Sequence, residues 1–186
     1  MNMITIRRER RADEAAREAL LDAAYGPVRF SKPSQRLRDG RQPADGLSFV
    51  AVEDGRVVGT VRLWPVAAGA GRPALLLGPL AVDPACRNRG IGSALMQRTM
   101  REARRRGHQA VLLVGDASYY ARFGFSADKT GGLWLPGPYE LHRLLGHELA
   151  SGALDGARGL IRAPRRPASR LAPLVAAMAG SAPQPA

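Results

Sequence analysis

The chain has 186 residues, 45% hydrophobic and 24% charged, with a formal charge of +12, which fits one domain with a real core. Its single cysteine, Cys86, excludes a disulfide framework or a multi-cysteine zinc site and fits a reducing, cytoplasmic setting. The start MNMITIRRER does not read as a secretory leader, and no apolar run approaches the roughly twenty residues that cross a membrane.

Residues 3–8 alternate well enough for a first strand. Asp13 is positioned to cap a helix whose apolar positions Ala16, Leu20, Ala23 and Ala24 keep the helical period until Gly26-Pro27 ends it. Residues 28–46 read as a polar loop containing a short helix around 34–39. Two β-rich runs, 47–52 and 56–64, flank Glu53-Asp54-Gly55, and Asp-Gly between such runs predicts a hairpin. After a loop at 69–73, residues 74–82 read as a buried strand interrupted at Gly78-Pro79. Proline has no N–H for a ladder, so a bulge or an unpaired stretch is expected there.

Residues 90–106 form the clearest helix. Ile91, Leu95, Met96, Met100 and Ala103 share one face, Arg98, Arg101 and Arg105 lie opposite, and Gly107 ends it. Residues 110–114 are a further apolar strand, followed by a helical stretch at 117–123 and then Gly124-Phe125. One or two short strands are expected around 140–149 and 157–162. From residue 164 onward Pro, Ala and Arg dominate, which predicts disorder with at most a short helix near 170–179. This order of elements is an α/β domain over 1–163, with one mixed sheet between helices, and a tail over 164–186.

The basic residues are almost all arginine; the only lysines are Lys32 and Lys129. With so much Ala, Gly and Pro, that bias resembles GC-rich coding, so location says more than the total. Residues 87–107 carry a net +6 and residues 162–186 carry +4.

The segment richest in chemistry runs from Leu80 through Ala81, Val82, Asp83-Pro84-Ala85-Cys86, Arg87, Asn88, Arg89, Gly90, Ile91, Gly92 and Ser93 to Leu95. A strand ends, a polar loop crosses, and a helix opens on Gly-x-Gly. Free N–H groups at a helix start, the helix dipole and side-chain-free glycines together make an anion site, beside which Arg87 and Arg89 add charge. A dinucleotide fingerprint fails because its third small residue would fall at Leu95. A P-loop fails because neither lysine follows a glycine. The pattern that fits is Arg-x-x-Gly-x-Gly, from Arg87 to Gly92.

With Val82-Asp83-Pro84 ahead of it and Tyr120-Ala121-Arg122-Phe123-Gly124-Phe125 downstream, this pattern resembles the GNAT superfamily of acetyl-CoA-dependent N-acetyltransferases over roughly residues 3–163. Gly78-Pro79-Leu80-Ala81-Val82, Gly115-Asp116-x-x-Tyr-Tyr and Leu-Pro-Gly-Pro with the later Gly-Ala-Leu-x-Gly look like a bacterial subgroup of mostly unassigned substrate. The resemblance implies a GNAT fold whose mixed central sheet splays. It implies acetyl-CoA as co-substrate, its pyrophosphate on Arg87, Asn88, Arg89, Gly90, Ile91, Gly92 and Ser93. Its pantetheine arm would lie along Leu80, Ala81 and Val82. A neutral amine would attack the thioester directly, backbone N–H groups near Val82 would steady the oxyanion, and Tyr120 would protonate the departing thiolate. Tyr119 is expected to point elsewhere.

No general base is assigned. The 74–82 strand has no Asp, Glu or His; Asp116 is a candidate through water but equally a helix cap, and Glu53, His142 and His147 are weaker. No metal-binding spacing is present, and Cys86 reads as structural. The loop 28–46 and the C-terminal strands are expected to wall the acceptor pocket. They carry Arg29, Lys32, Arg36, Arg38 and Arg41, which favours an acceptor bearing a carboxylate or phosphate over a polycation. The acceptor is a small-molecule or peptide amine, with no nucleic acid or membrane partner expected. Homodimers are common in the family. The alternative reading is a non-catalytic or regulatory acyl-CoA-binding module.

Overall fold

Six strands form one sheet in the order β1 (Thr5–Arg8), β2 (Ser48–Glu53), β3 (Arg56–Ala68), β4 (Arg72–Val82), β5 (Ala110–Val114) and β7 (Leu144–Glu148). Every neighbouring pair is antiparallel except β4 with β5. The computed structural model describes residues 3–164, so the reading of the tail, with its helix near 170–179, lies outside the described residues. Among the described residues, no helix is long and apolar enough to cross a membrane.

The β2–β3 turn is the tight hairpin that Asp-Gly predicts, with Glu53 paired to Arg56 and positive φ at Asp54 (48°) and Gly55 (77°). The next hairpin is longer than expected. β3 and β4 extend to Ala68 and Arg72, which confines the expected 69–73 loop to a turn at Gly69–Gly71. A two-stranded parallel ribbon, β6 (Leu133–Trp134) with β8 (Gly159–Leu160), packs beside the sheet. Only β8 falls within the expected strands.

Helices cover both faces. α3 (Ile91–Arg105) buries Ile91, Leu95, Met96 and Ala103 against Phe49, Val61, Leu63, Leu75 and Leu113. Ile91, Leu95 and Met96 each contribute roughly 1.5–3 kcal/mol of burial. On the opposite face, α1 (Glu14–Tyr25) packs Leu20 and Leu21 on Val50, Val57 and Ala81, while the β6–β8 ribbon covers Val66, Leu76 and Leu112.

The buried face of α1 is rotated from the expected one. Ala16 and Ala23 are exposed, whereas Arg17, Leu20 and Leu21 are buried. Arg17 can turn inward because Glu9 accepts its guanidinium, and Glu9 also accepts from Arg62 Nε at 2.8 Å. Asp13 stands at the N-cap but does not cap the helix through its side chain. Instead the carboxylate grips Arg7 through two bonds of 2.6 and 2.8 Å and accepts the Arg10 N–H at 2.7 Å.

The Arg7 bonds, outweighing desolvation and aided by the Arg10 N–H, hold the Asp13 carboxyl at about 2, below its ordinary value. The stability this contributes is complete above the unfolded carboxyl's pKa and is lost as pH falls through about 2. Between pH ~4 and ~2 the native chain is therefore expected to lose about 1 kcal/mol more stability than Asp13→Asn, after allowance for solvent screening. Urea titrations of both proteins across that range measure it, and parallel curves would contradict it.

Candidate active site

In mid-strand, β4 spends two residues against one of β3. Val61 pairs with Leu80 and Leu63 with Leu77, leaving Gly78 and Pro79 opposite Arg62. This is a β-bulge at the expected interruption, and the strand continues through it. The Trp64 indole N–H donates to the Gly78 carbonyl at 2.6 Å and pins the bulge from within the core.

One extra residue inverts the side-chain alternation. Before the bulge, Leu75 and Leu77 face α3; after it, Leu80 and Val82 face α3 and Ala81 faces α1. Backbone direction follows. The Asp83 N–H donates to the Val58 carbonyl at 2.9 Å, so the antiparallel alternation turns the polar groups of Ala81 toward β3. Those of Leu80 and Val82 point the other way, toward β5. There β5 supplies no partner, because β4 and β5 pair only at Leu75 with Val111 and Leu76 with Leu112 before parting.

The parting opens a cavity of about 520 Å³ lined by Leu77, Gly78, Pro79 and Leu80 on one side and Leu113 and Val114 on the other. The Tyr25 hydroxyl, at the end of α1, donates to the Leu80 carbonyl. Tyr120, at the end of α4 (Ala117–Tyr120), lines the same cavity. Its ring lies where a side chain on Gly115 would stand, and meets Phe125 edge-on at 6.0 Å. The Tyr120 hydroxyl makes no hydrogen bond among the described residues. Burial, with Tyr25 and Tyr119 nearby, raises its pKa well above the ordinary tyrosine value, so it stays protonated.

Beyond β4, Asp83 caps a short 3-10 turn by accepting the Ala85 N–H, and the chain crosses to α3. Asn88 (φ 62°) and Gly90 (φ 77°) adopt left-handed backbone, and Gly90 is the N-cap. The first helical bond runs from the Ala94 N–H to Gly90, so the N–H groups of Ile91, Gly92 and Ser93 have no intrahelical acceptor. The Ile91 side chain is buried in the core, which leaves only its backbone on the loop. Arg87 is exposed and makes no ion pair among the described residues. Arg89 is not free: Glu53 holds it through bonds of 3.0 and 2.6 Å, with Cys86 Sγ at 3.6 Å. Tyr119 points elsewhere, as expected: it does not line the cavity, and its hydroxyl stands 2.9 Å from where a Cβ on Gly92 would sit.

The candidate bases fall away from the cavity. Asp116 caps α4, accepting the Ser118 N–H and hydroxyl, and those bonds hold its carboxyl below the ordinary value. Glu53 is committed to Arg89, His147 contacts the Gly124 carbonyl, and His142 is exposed beside Glu140. Among the described residues, the only carboxylate lining the cavity is Glu140. Sequence reasoning missed Glu140, Arg143 and Tyr25. For Tyr25 a signal existed, since it follows Leu21 by one helical turn; Glu140 stands at the N-cap and Arg143 at the end of a single 3-10 turn, Leu141–Arg143, too short to carry a periodicity.

Residues 14–125 match the family model described as the acetyltransferase (GNAT) family. The chain belongs to the GNAT family. It is 32% identical over 161 residues to the Escherichia coli K12 protein named N-acetyltransferase YhbS, covering 84% of this chain and 93% of that one. The crystal structure of E. coli YhbS in complex with CoA superposes with a TM-score of 0.75 at 30% identity, over 88% of this chain and 91% of that one. A GNAT acetyltransferase from Brucella melitensis, crystallised with acetyl-CoA, superposes with a TM-score of 0.59 at 32% identity, over 83% and 100% of the two chains. The splayed sheet expected from the resemblance is thus the fold of this GNAT chain.

Because the Tyr119 hydroxyl fills the space beside Gly92, Gly92→Ala is expected to lower Tm by about 3 °C through overpacking. Tyr119→Phe in the same chain should recover most of that loss. Thermal melts of the single and double variants measure it; a double variant as unstable as Gly92→Ala would contradict the contact.

Proposed function

We propose that this chain moves the acetyl group of acetyl-CoA to a primary amine by direct attack in a ternary complex, with Tyr120 as general acid. One observation carries the reading. The backbone groups of Leu80 and Val82 that face β5 lie between a helix N-terminus built for an anion and a free, protonated tyrosine hydroxyl.

Acetyl-CoA is a substrate here, and the residues present suit it. The unbonded N–H groups of Ile91, Gly92 and Ser93 and the unpaired Arg87 match a pyrophosphate, with Asn88 and Gly90 shaping the turn. Arg89, tied to Glu53, braces the loop and adds charge from one side. Leu80 offers its N–H, and Val82 its N–H and carbonyl, to the amides of the pantetheine arm. Ala81 has the least to offer, since its backbone bonds to β3 and its side chain packs against α1. A cytoplasmic setting agrees with Cys86, which is buried and unpaired, and residues 1–163 carry the reaction as one domain.

In the reaction the amine lone pair forms a C–N bond to the thioester carbonyl carbon while an N–H near Val82 takes up the oxyanion. The C–S bond then breaks as the carbonyl re-forms, the thiolate receives the Tyr120 proton, and the surplus amine proton passes to water, from which the Tyr120 phenolate is reprotonated. No buried carboxylate is needed to prepare the nucleophile. Lys32, Arg38 and Arg143 line the cavity, and a positive surrounding disfavours an ammonium ion. Lys32 itself reports this: burial, then Arg38 and Arg143, lower its pKa.

Tyr120→Phe is expected to lower kcat roughly tenfold or more while leaving the Kd for acetyl-CoA within about twofold. Steady-state CoA release and calorimetric binding measure the two quantities. Unchanged turnover across the pH range would remove Tyr120 from the mechanism.

A further inference from the structure

The cavity between β4 and β5 is lined by Arg29, Lys32, Arg38 and Arg143, of which Arg38 is buried while Lys32 and Arg143 are exposed. Arg38 is 8% exposed and forms no ion pair with a carboxylate among the described residues; its Nε and one Nη donate to the Ser34 carbonyl and hydroxyl at 3.1 and 2.8 Å. The neighbouring Asp39 instead accepts from Gln35 at 2.6 Å. Lys32 lies over the Tyr25 ring, 4.6 Å from its centre, and forms no ion pair among the described residues. Arg143 reaches the exposed Glu140, at 3.9 Å, and the Gly115 carbonyl. Arg29 differs from these three, being neutralised by Glu18 and Asp22 at 2.7 and 2.8 Å.

A buried cation without a counter-ion is costly unless something supplies the negative charge. Burial holds the Arg38 guanidinium down at about 10. The phosphates of CoA do not account for it, because none of the loop residues 87–93 lines this cavity. Arg36 and Arg41 do not either; they lie outside it and donate to the carbonyls of Pro136 and Pro164.

We infer that the acceptor is a small amine carrying an oxyanion, carboxylate or phosphate, and that Arg38 with Lys32 and Arg143 binds that group. The inference rests on the acetyl-transfer reading, since it takes the cavity as the acceptor's place. The same three cations that hold the oxyanion disfavour the ammonium form of the amine. Recognition and deprotonation thus share one source, and a polyamine is repelled by it.

The test uses the full chain loaded with CoA and isothermal titration of glycine, leucine and phenylalanine, each as free carboxylate and as carboxamide. Aminoethyl phosphate and ethylenediamine form the phosphate and dication arms. At least one carboxylate, or the phosphate, is expected to bind about tenfold or more tightly than the matched neutral or cationic amine. The tighter of the two oxyanion arms identifies the source. In Arg38→Gln that preference should shrink to about twofold. Because Arg38 also holds Ser34, Lys32→Gln serves as the second variant and should reduce the preference severalfold while keeping the native melting temperature. Equal affinity for oxyanion and amide at any level, tightest binding of ethylenediamine, or a preference unmoved in both variants overturns the inference. CoA release from acetyl-CoA separates the two readings. Oxyanion-selective binding without turnover fails the acetyl-transfer reading alone, whereas turnover of ethylenediamine in preference to the oxyanions fails this inference alone.

Discussion

The architecture of the site hangs on one irregularity, the extra residue of β4 at Gly78 and Pro79. A strand that kept perfect alternation would turn Leu80 and Val82 toward α1 and Ala81 toward α3. It would also aim the N–H and carbonyl groups of Ala81, not those of Leu80 and Val82, away from β3. The bulge reverses both assignments at once. It lets the strand keep a packed face toward α3 while exposing two backbone positions to the gap beside β5. Trp64 holds that arrangement by donating its indole N–H to the bulged carbonyl, so one of the chain's two tryptophans works as a clasp as well as core.

Across the chain the positive charge sorts into two uses. In the loop and α3, Glu53 holds Arg89, and Glu102 gathers Arg8, Arg105 and Arg106. Those arginines stabilise local structure and are not open to a ligand in the way Arg87 is. A second set, Arg38, Lys32 and Arg143, lies inside the cavity. The +6 of residues 87–107 is therefore a poorer guide to the donor site than the geometry of the unbonded N–H groups at the start of α3.

Much of this was legible in the residues. Asp54-Gly55 dictated a two-residue turn, the apolar stripe of 90–106 a helix, and Gly78-Pro79 a break in the ladder, because each depends on local chemistry. Three features were not legible. The phase of α1 depends on Arg17 finding Glu9 just past the end of β1, a partnership that hydrophobic periodicity counts as a polar interruption. Tyr119 meets Gly92 from a helix 27 positions on, a contact that spacing alone does not reveal. The paired ribbon β6–β8 is two residues wide on each side, too short to carry a strand pattern. Within the site, the GNAT motif was readable from spacing, and Lys32 and Arg38 were legible as part of the 28–46 loop expected to wall the pocket; Arg143 comes from a distant segment that only the fold brings to them.

The central claim is that Leu80 and Val82, and not Ala81, present free backbone to acetyl-CoA. Residue-resolved amide hydrogen exchange, with and without CoA, tests it directly. The account predicts rapid exchange at Leu80 and Val82 in the free protein, slowed about tenfold or more by CoA, with Ala81 protected in both states. Protection arising at Ala81 while Leu80 and Val82 stay unchanged would contradict it.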